Sequence, residues 1–246
     1  MITDYFRPQT LEDALRLLAQ PNTIPLGGGT WINQPHAETV NVVDLQNLGL
    51  THIHKHGNNL EMDACVTLQQ LLDSPHCPDA LKQAIRLESP LNVRNAATLA
   101  GTLVTCGGRS TFATAMLALD AKISVNTDPK NVETISLGEY LSLRSLPGKL
   151  ITKISIPLNV TLHFESVAKT PADTPIVCAA ACRWASGRTR LALGGYGQAP
   201  TLAMDGTEAD GIETAARSAY HEAGDDIASA EYRADVAATL AKRCLA

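Results

Sequence analysis

Residues 24–33 read IPLGGGTWIN, three consecutive glycines behind a short apolar run. Glycine loses more backbone freedom on folding than any other residue, so such a run persists where a side chain would obstruct something. Either the backbone turns through positive φ there, or another group approaches the bare amides. Upstream, Thr10 precedes Leu11, Ala14, Leu15 and Leu18, the spacing of a one-faced helix, with Asp13 placed to complete its N-terminal cap. Pro21 closes that helix. TIPL then reads as a strand running into the glycine turn, and VNVVDL (40–45) as a second β-rich run, so this region is an α/β unit with the glycines where its first run ends.

The turn is not a P-loop, because no Gly-Lys-Ser/Thr follows to hold phosphate and magnesium. Nor is it the G-x-G-x-x-G dinucleotide fingerprint, which needs a glycine where Ile32 stands. On this stretch alone, a tight turn without a ligand and a ligand cradle are both open.

Further along, THIHKHGNNLEMDACVT (51–67) reads as two short strands around Gly57-Asn58-Asn59, and Thr67 as the cap of a helix carrying Leu68, Leu71 and Leu72. Another helix near 79–87 carries Leu81, Ile85 and Leu87. A second loop, VRNAATLAGTLVT (93–105), gathers Asn95, Thr98, Ala100, Gly101 and Thr102. Small residues and hydroxyls of this kind expose amides. Two such loops facing one another would cradle a pyrophosphate through backbone N–H groups rather than lysines. TFATAMLALDA (111–121) follows as an apolar helix, and KISVNT (122–127) and KLITKISIPL (149–158) as strands. TLHFESVA (161–168), IVCAAACRWA (176–185) and TRLALGGYG (189–197) read as three strands of an antiparallel sheet, before helices at about 211–224 and 229–245. The class is α+β in three parts: 1–55, 56–158 and 159–246.

Composition narrows the function classes. The chain has 246 residues, 45% hydrophobic and 18% charged, which suits a globular protein with a real core. A net charge of −5 and only 4% aromatics argue against nucleic acid as a partner. No apolar run approaches the roughly 20 residues of a membrane span. The opening MITDYFRPQT lacks the regions of a signal peptide, which predicts a cytoplasmic protein. The six cysteines form no CxxC and read as small buried hydrophobes of a reducing compartment. His52, His54 and His56 share one face of a strand, a spacing that can ligate metal, but their setting reads as an exposed hairpin end. Arg94 and Arg109 either steer phosphate or solvate a loop, with solvation favoured for Arg109. Glu231 and Tyr232 read as helix-packing and interface residues. No Ser–His–Asp or paired-carboxylate arrangement follows from spacing.

The segments YFRPQTLEDALRLLAQPNTIPLGGGTWI (5–32), EMDACVTLQQLL (61–72) and NVRNAATLAGTLVT (92–105) resemble, in this order, the flavoprotein subunit of molybdenum hydroxylases. That group includes the medium subunit of aerobic carbon monoxide dehydrogenase and the FAD domain of xanthine dehydrogenase. LALGGYGQAPTLA (191–203) and ASAEYRADVAATLAKRCL (228–245) resemble its C-terminal domain. The resemblance implies a two-subdomain α/β FAD-binding fold (PCMH-type) followed by a smaller α+β C-terminal domain with a three-stranded antiparallel sheet. It implies FAD contacts at Leu26, Gly27, Gly28, Gly29, Thr30, Trp31 and Ile32, and at Thr98, Leu99, Ala100, Gly101 and Thr102. Further contacts fall at Thr111, Leu150 and Lys169.

The implied function is electron transfer between iron–sulfur clusters on a partner chain and NAD or another acceptor, with no catalytic acid or base and no metal ligand on this chain. The implied partners are a molybdenum-cofactor large subunit and a 2Fe–2S small subunit in a hetero-oligomer. Four residues depart from the pattern. Ala100-Gly101-Thr102 stands for Gly-Gly-Asn, Thr111 falls on an acidic position, and Glu165 on a basic one. These departures motivate a second reading, a family member without flavin that serves as a structural subunit of the same complex.

Overall fold

The computed structural model describes residues 2–32, 39–144, 148–171 and 173–245. The chain opens with β1 (Ile2–Phe6), followed by α1 (Leu11–Leu18), β2 (Thr23–Leu26) and β3 (Val40–Asp44). Helix α1 starts where expected because Thr10 Oγ1 accepts from the Asp13 amide, and it buries Ala14, Leu15 and Leu18. The three strands form a parallel sheet in the order β1-β3-β2. Strand β1 carries no sequence signal, since its large side chains Ile2 and Tyr5 stay exposed and no alternation marks a buried face.

A hairpin follows, β4 (Ile53–His56) and β5 (Asn59–Asp63), turning through Gly57 at φ +58°. Thr67 and Gln70 then close a reciprocal capping box on α2 (Leu68–Asp73). Next come α3 (Asp79–Glu88), α4 (Leu91–Arg94), α5 (Leu99–Thr105) and α6 (Thr111–Ala118), the last buried at every position. After them come β6 (Lys122–Asn126), β7 (Val132–Ser136), α7 (Leu137–Leu143) and β8 (Leu150–Pro157). These strands complete a five-stranded sheet in the order β4-β5-β8-β6-β7.

The remainder is β9 (Val160–Val167), β10 (Val177–Trp184), β11 (Thr189–Gly194), β12 (Thr201–Gly206), α8 (Ile212–Ala219) and α9 (Ala230–Arg243). The antiparallel sheet here has four strands, β12-β11-β10-β9, rather than the three expected. TLAMDG escapes notice because it is an edge strand whose residues are exposed or half-buried. Strand β10 is buried on both faces. Val177, Ala179 and Ala181 pack with Tyr220, Ala237 and Leu240 from the α8 and α9 region, while Cys178 meets Thr114 of α6. This explains its near-continuous small apolar sequence.

Contacts divide the chain into two compact units. One comprises the chain up to Pro75, Leu91–Thr105 and Lys122–Ser155; the other comprises His76–Pro90, Cys106–Ala121 and the chain from Ile156 onward. The first unit includes a cluster of Ala14, Leu15, Leu18, Val43, Leu45 and Leu150.

Candidate functional site

In a parallel sheet the carboxyl ends of the strands lie on one edge, and the glycine turn leaves that edge at the end of β2. Its three glycines answer three different demands. Gly29 has φ +70°, the left-handed conformation that a turn requires and a side chain resists. A Cβ on Gly28 would stand 1.6 Å from the Ala96 carbonyl oxygen, so this backbone is packed directly on another. A Cβ on Gly27 would stand 2.7 Å from Thr98 Oγ1, and one on Gly101 would stand 2.8 Å from the same hydroxyl. The early and mid-chain segments therefore meet, with Thr98 between Gly27 and Gly101. Among the described residues, no hydrogen bond engages the amides of Gly27, Gly28, Gly29 or Thr30. Leu26 and Ile32 flank the turn half-buried, and Trp31 is exposed.

The mid-chain segment is not the loop expected. Its residues form α4 and α5, joined by a turn at Asn95 and Ala96. Nor does it present free amides. Leu99 donates to the Val66 carbonyl at 2.8 Å and Ala100 to the Ala64 carbonyl at 3.2 Å. Gly101 donates to Thr98 Oγ1 at 3.2 Å and Thr102 to the Thr98 carbonyl at 2.9 Å. The Thr102 hydroxyl also spends its proton on that carbonyl. A strand-like bridge between Thr67 and Thr98 fixes this arrangement and absorbs the donors that composition suggested were open. Ala100 is helical and does not have positive φ, so its methyl group costs no backbone strain. The site is thus asymmetric: one loop of free amides faces a wall of helix whose donors are satisfied.

Residues 1–159 match the family model described as the FAD binding domain in molybdopterin dehydrogenase. The chain belongs to this family. The protein YgfM of Escherichia coli K12 is 29% identical over 201 residues, covering 79% of this chain and 75% of that one. The nicotinate dehydrogenase FAD-subunit of Eubacterium barkeri is 31% identical over 132 residues, 49% of this chain and 44% of that one. Among solved structures, reconstituted CO dehydrogenase from Oligotropha carboxidovorans superposes with a TM-score of 0.81 at 23% identity, over 98% of this chain and 96% of that one. Quinoline 2-oxidoreductase from Pseudomonas putida 86 gives 0.79 at 21% identity, over 98% and 95%. At such identities the likeness is one of fold.

In this FAD-binding family member the remaining expected contacts are placed differently from the glycine turn. Leu150 is 3% exposed and packs in the hydrophobic cluster of the first unit. Thr111, in the second unit, is 1% exposed and donates to the Ala84 carbonyl at 2.7 Å and to Glu88 Oε2 at 3.1 Å. Both side chains are taken up by packing and hydrogen bonds within their own units. Lys169 is exposed at the rim of a groove of about 580 Å³ in the second unit, lined by Arg86, Leu87, Val167 and Pro175. Arg109 does not simply solvate a loop, since it donates to the Thr174 carbonyl at 2.9 Å and the Pro175 carbonyl at 3.2 Å. Arg94 is hydrogen-bonded to Gln69 at 3.1 Å. His52 pairs with Asp63 at 3.2 Å and His56 with Glu61 at 3.6 Å, so both imidazoles face carboxylates of β5. Burial pushes the Cys77, Cys178, Cys182 and Cys244 thiols up to about 12 and Cys65 to about 11, which keeps all five protonated and inert at neutral pH.

Sequence reading missed Glu88. It ends α3, and its Oε2 accepts from Ser110 Oγ at 2.9 Å, from Thr111 Oγ1 and from the Phe112 amide at 2.9 Å. A carboxylate therefore stands beside Thr111 after all, supplied by a different helix. Burial pushes its carboxyl above the usual range, and the donated hydrogen bonds offset this only in part. A carboxyl with a raised folded value contributes stability that is fully present below its unfolded value and is lost as pH rises through the folded one. Glu88→Gln should remove that dependence. Melting temperatures of the two proteins, followed from pH 4.5 upward, should show wild type losing ground against the variant. Parallel curves would refute the assignment.

Proposed function

We propose that the chain is the FAD-binding electron-transfer subunit of a molybdenum-hydroxylase-type oxidoreductase. The observation that carries this reading is the row of unengaged amides at Gly27, Gly28, Gly29 and Thr30, seated against Ala96 and Thr98. A row of backbone N–H groups in a glycine turn is a concavity for an anion, and it suits the diphosphate of a dinucleotide without lysine. Thr98–Thr102 forms the opposite wall by contact rather than by donated hydrogen bonds, and Leu26, Trp31 and Ile32 bound the turn. Leu150 packs in the core of the unit that carries the turn.

FAD, when bound, supplies the redox chemistry, taking electrons singly from iron–sulfur clusters on a partner chain and passing them to NAD or another acceptor. The protein's own task is then to bind and orient, which agrees with the absence of a catalytic acid–base pair in our reading of the sequence. The partners in this reading are a molybdenum-cofactor large subunit and a 2Fe–2S small subunit. Residues 1–55 and 56–158 form the two halves of the FAD-binding region, and the family match ending at residue 159 supports a C-terminal domain from there on. Six free thiols suit a reducing compartment, and on that ground we place the protein in the cytoplasm. No helix among the described residues is long and apolar enough to cross a membrane.

The satisfied donors of α5 favour the second reading, a structural subunit without flavin, because half of the expected cradle gives no hydrogen bond. Visible absorption separates the two. The purified protein, or apoprotein titrated with FAD, is expected to show the two-banded spectrum of an oxidised flavin at one per chain. A colourless protein that takes up no added FAD would leave the structural reading standing alone.

A further inference from the structure

The carboxyl edge of the parallel sheet carries a cation that neither glycine-rich segment provides. Phe6 of β1 is level with Val43 of β3, and Leu26 of β2 is level with Asp44. Arg7 therefore comes level with Asp44 and Leu26, one row short of Gly27. Neighbouring strands lie about 4.8 Å apart, so the Arg7 backbone is roughly 10 Å from the start of the turn. Its side chain already spans the first of those spacings. Nη2 donates to Gln46 Oε1 at 2.8 Å, and Nε lies 3.7 Å from Asp44 Oδ2, both just past the end of the middle strand or at it.

Charge at this edge is divided by burial. The Asp44 carboxylate is 4% exposed and is satisfied by nearer donors, the Tyr5 hydroxyl and the Gln46 amide at 2.9 Å. The Arg7 side chain is 48% exposed. Among the described residues, Gln46 is the one acceptor hydrogen-bonded to its guanidinium, so most of its fork of N–H donors stays open. The negative end of the pair is inside the protein and the positive end is outside, at the edge from which the glycine turn leaves.

We propose that Arg7 is a further binding residue of the site, a guanidinium that reaches from β1 across the end of β3 to the diphosphate held by the Gly27–Thr30 amides. Gln46 is its positioning residue, holding the fork above the sheet edge. The assignment rests on the FAD-binding reading. It also supplies a cation to a site whose glycine turn, Gly27–Thr30, carries none.

The test is FAD titration of apoprotein by flavin fluorescence quenching, for wild type, Arg7→Met, Arg7→Lys and Gln46→Ala, at low and high salt. Arg7→Met should raise the FAD Kd about tenfold or more, the scale of one charge-assisted hydrogen bond. It should also flatten the salt dependence of binding, which loss of structure alone would not do. Arg7→Lys should recover part of the affinity and the salt dependence, and Gln46→Ala should fall between wild type and Arg7→Met. A folded Arg7→Met protein with wild-type Kd and salt response overturns the role of Arg7 while leaving the FAD reading intact. If Arg7→Met does not fold, unchanged binding by both Arg7→Lys and Gln46→Ala overturns it equally. Wild type that binds no FAD overturns the reading and the assignment together.

Discussion

Gly28→Ala is expected to cost about 3 kcal/mol and to abolish tight FAD binding. The added Cβ would stand 1.6 Å from the Ala96 oxygen, 2.5 Å from its carbonyl carbon and 3.2 Å from the Ala97 nitrogen. All three are backbone atoms, so no side-chain rotation relieves the clash; the two segments must separate. Overpacking that moves backbone lies at the upper end of the range for point substitutions. For a chain of this size the loss should lower Tm by roughly 6–12 °C. Separation also dismantles the cradle, because the amides are held in place by the wall behind them. Gly107→Ala is the control. Gly107 has no atom within 4 Å of the Cβ position and does not have positive φ, so its cost should stay within about 0.5 kcal/mol. Differential scanning calorimetry with FAD titration on both variants decides the matter. A Gly28→Ala protein as stable as the control would mean that the two segments do not pack as described.

Arg233→Ala should be as damaging for a different reason. Arg233 is fully buried in α9, yet its guanidinium serves the loops around it. It donates to the carbonyls of Ala223 at 2.7 Å and Ala228 at 3.1 Å, to both Asp225 oxygens at 2.8 and 2.9 Å, and to the Ile176 carbonyl at 3.4 Å. It also lies 5.2 Å from the centre of the Tyr196 ring. Truncation leaves buried carbonyls without donors and a cavity between α9 and β10. Breaking a buried, hydrogen-bonded charge in this way costs about 3–5 kcal/mol. Lysine should not rescue it, because a single ammonium cannot cover acceptors set around a planar fork. The guanidinium also holds the Asp225 carboxyl below the usual carboxylate range. Its share of stability is present above that range and lost as pH falls through the lowered value. Chemical denaturation of Arg233→Ala and Arg233→Lys checks this, and a lysine variant with wild-type stability would refute the account.

The Gly28 contact with Ala96 is distant in sequence, and Arg233 joins the loop just before its own helix to Ile176 and Tyr196 far upstream; neither arrangement is local, and that is where sequence reading ran out. Helix α1 is legible because its cap and its apolar spacing are local, and the same holds for α2 and its Thr67–Gln70 box. The β4–β5 hairpin is legible from its glycine turn. Strands β1 and β12 are not, since edge position leaves their side chains exposed and removes the alternation that marks a strand. The stretch at 93–105 reads as a loop because glycine and threonine are poor helix formers, yet burial of Leu99 and Leu103 winds part of it into α5. Glu88 and Arg7 carry no local signal at all. Each becomes significant only through groups brought to it by the fold.

The amino-acid order alone settled the α+β class, the helices with local caps, the glycine turn and the kinship with FAD-binding domains, because these rest on neighbours within a few residues or on motif order. It did not settle which backbone donors a ligand would find. An amide is open or closed according to the carbonyl that tertiary packing sets before it. Val66 and Ala64 closed Leu99 and Ala100, while no hydrogen bond among the described residues closes Gly27–Thr30.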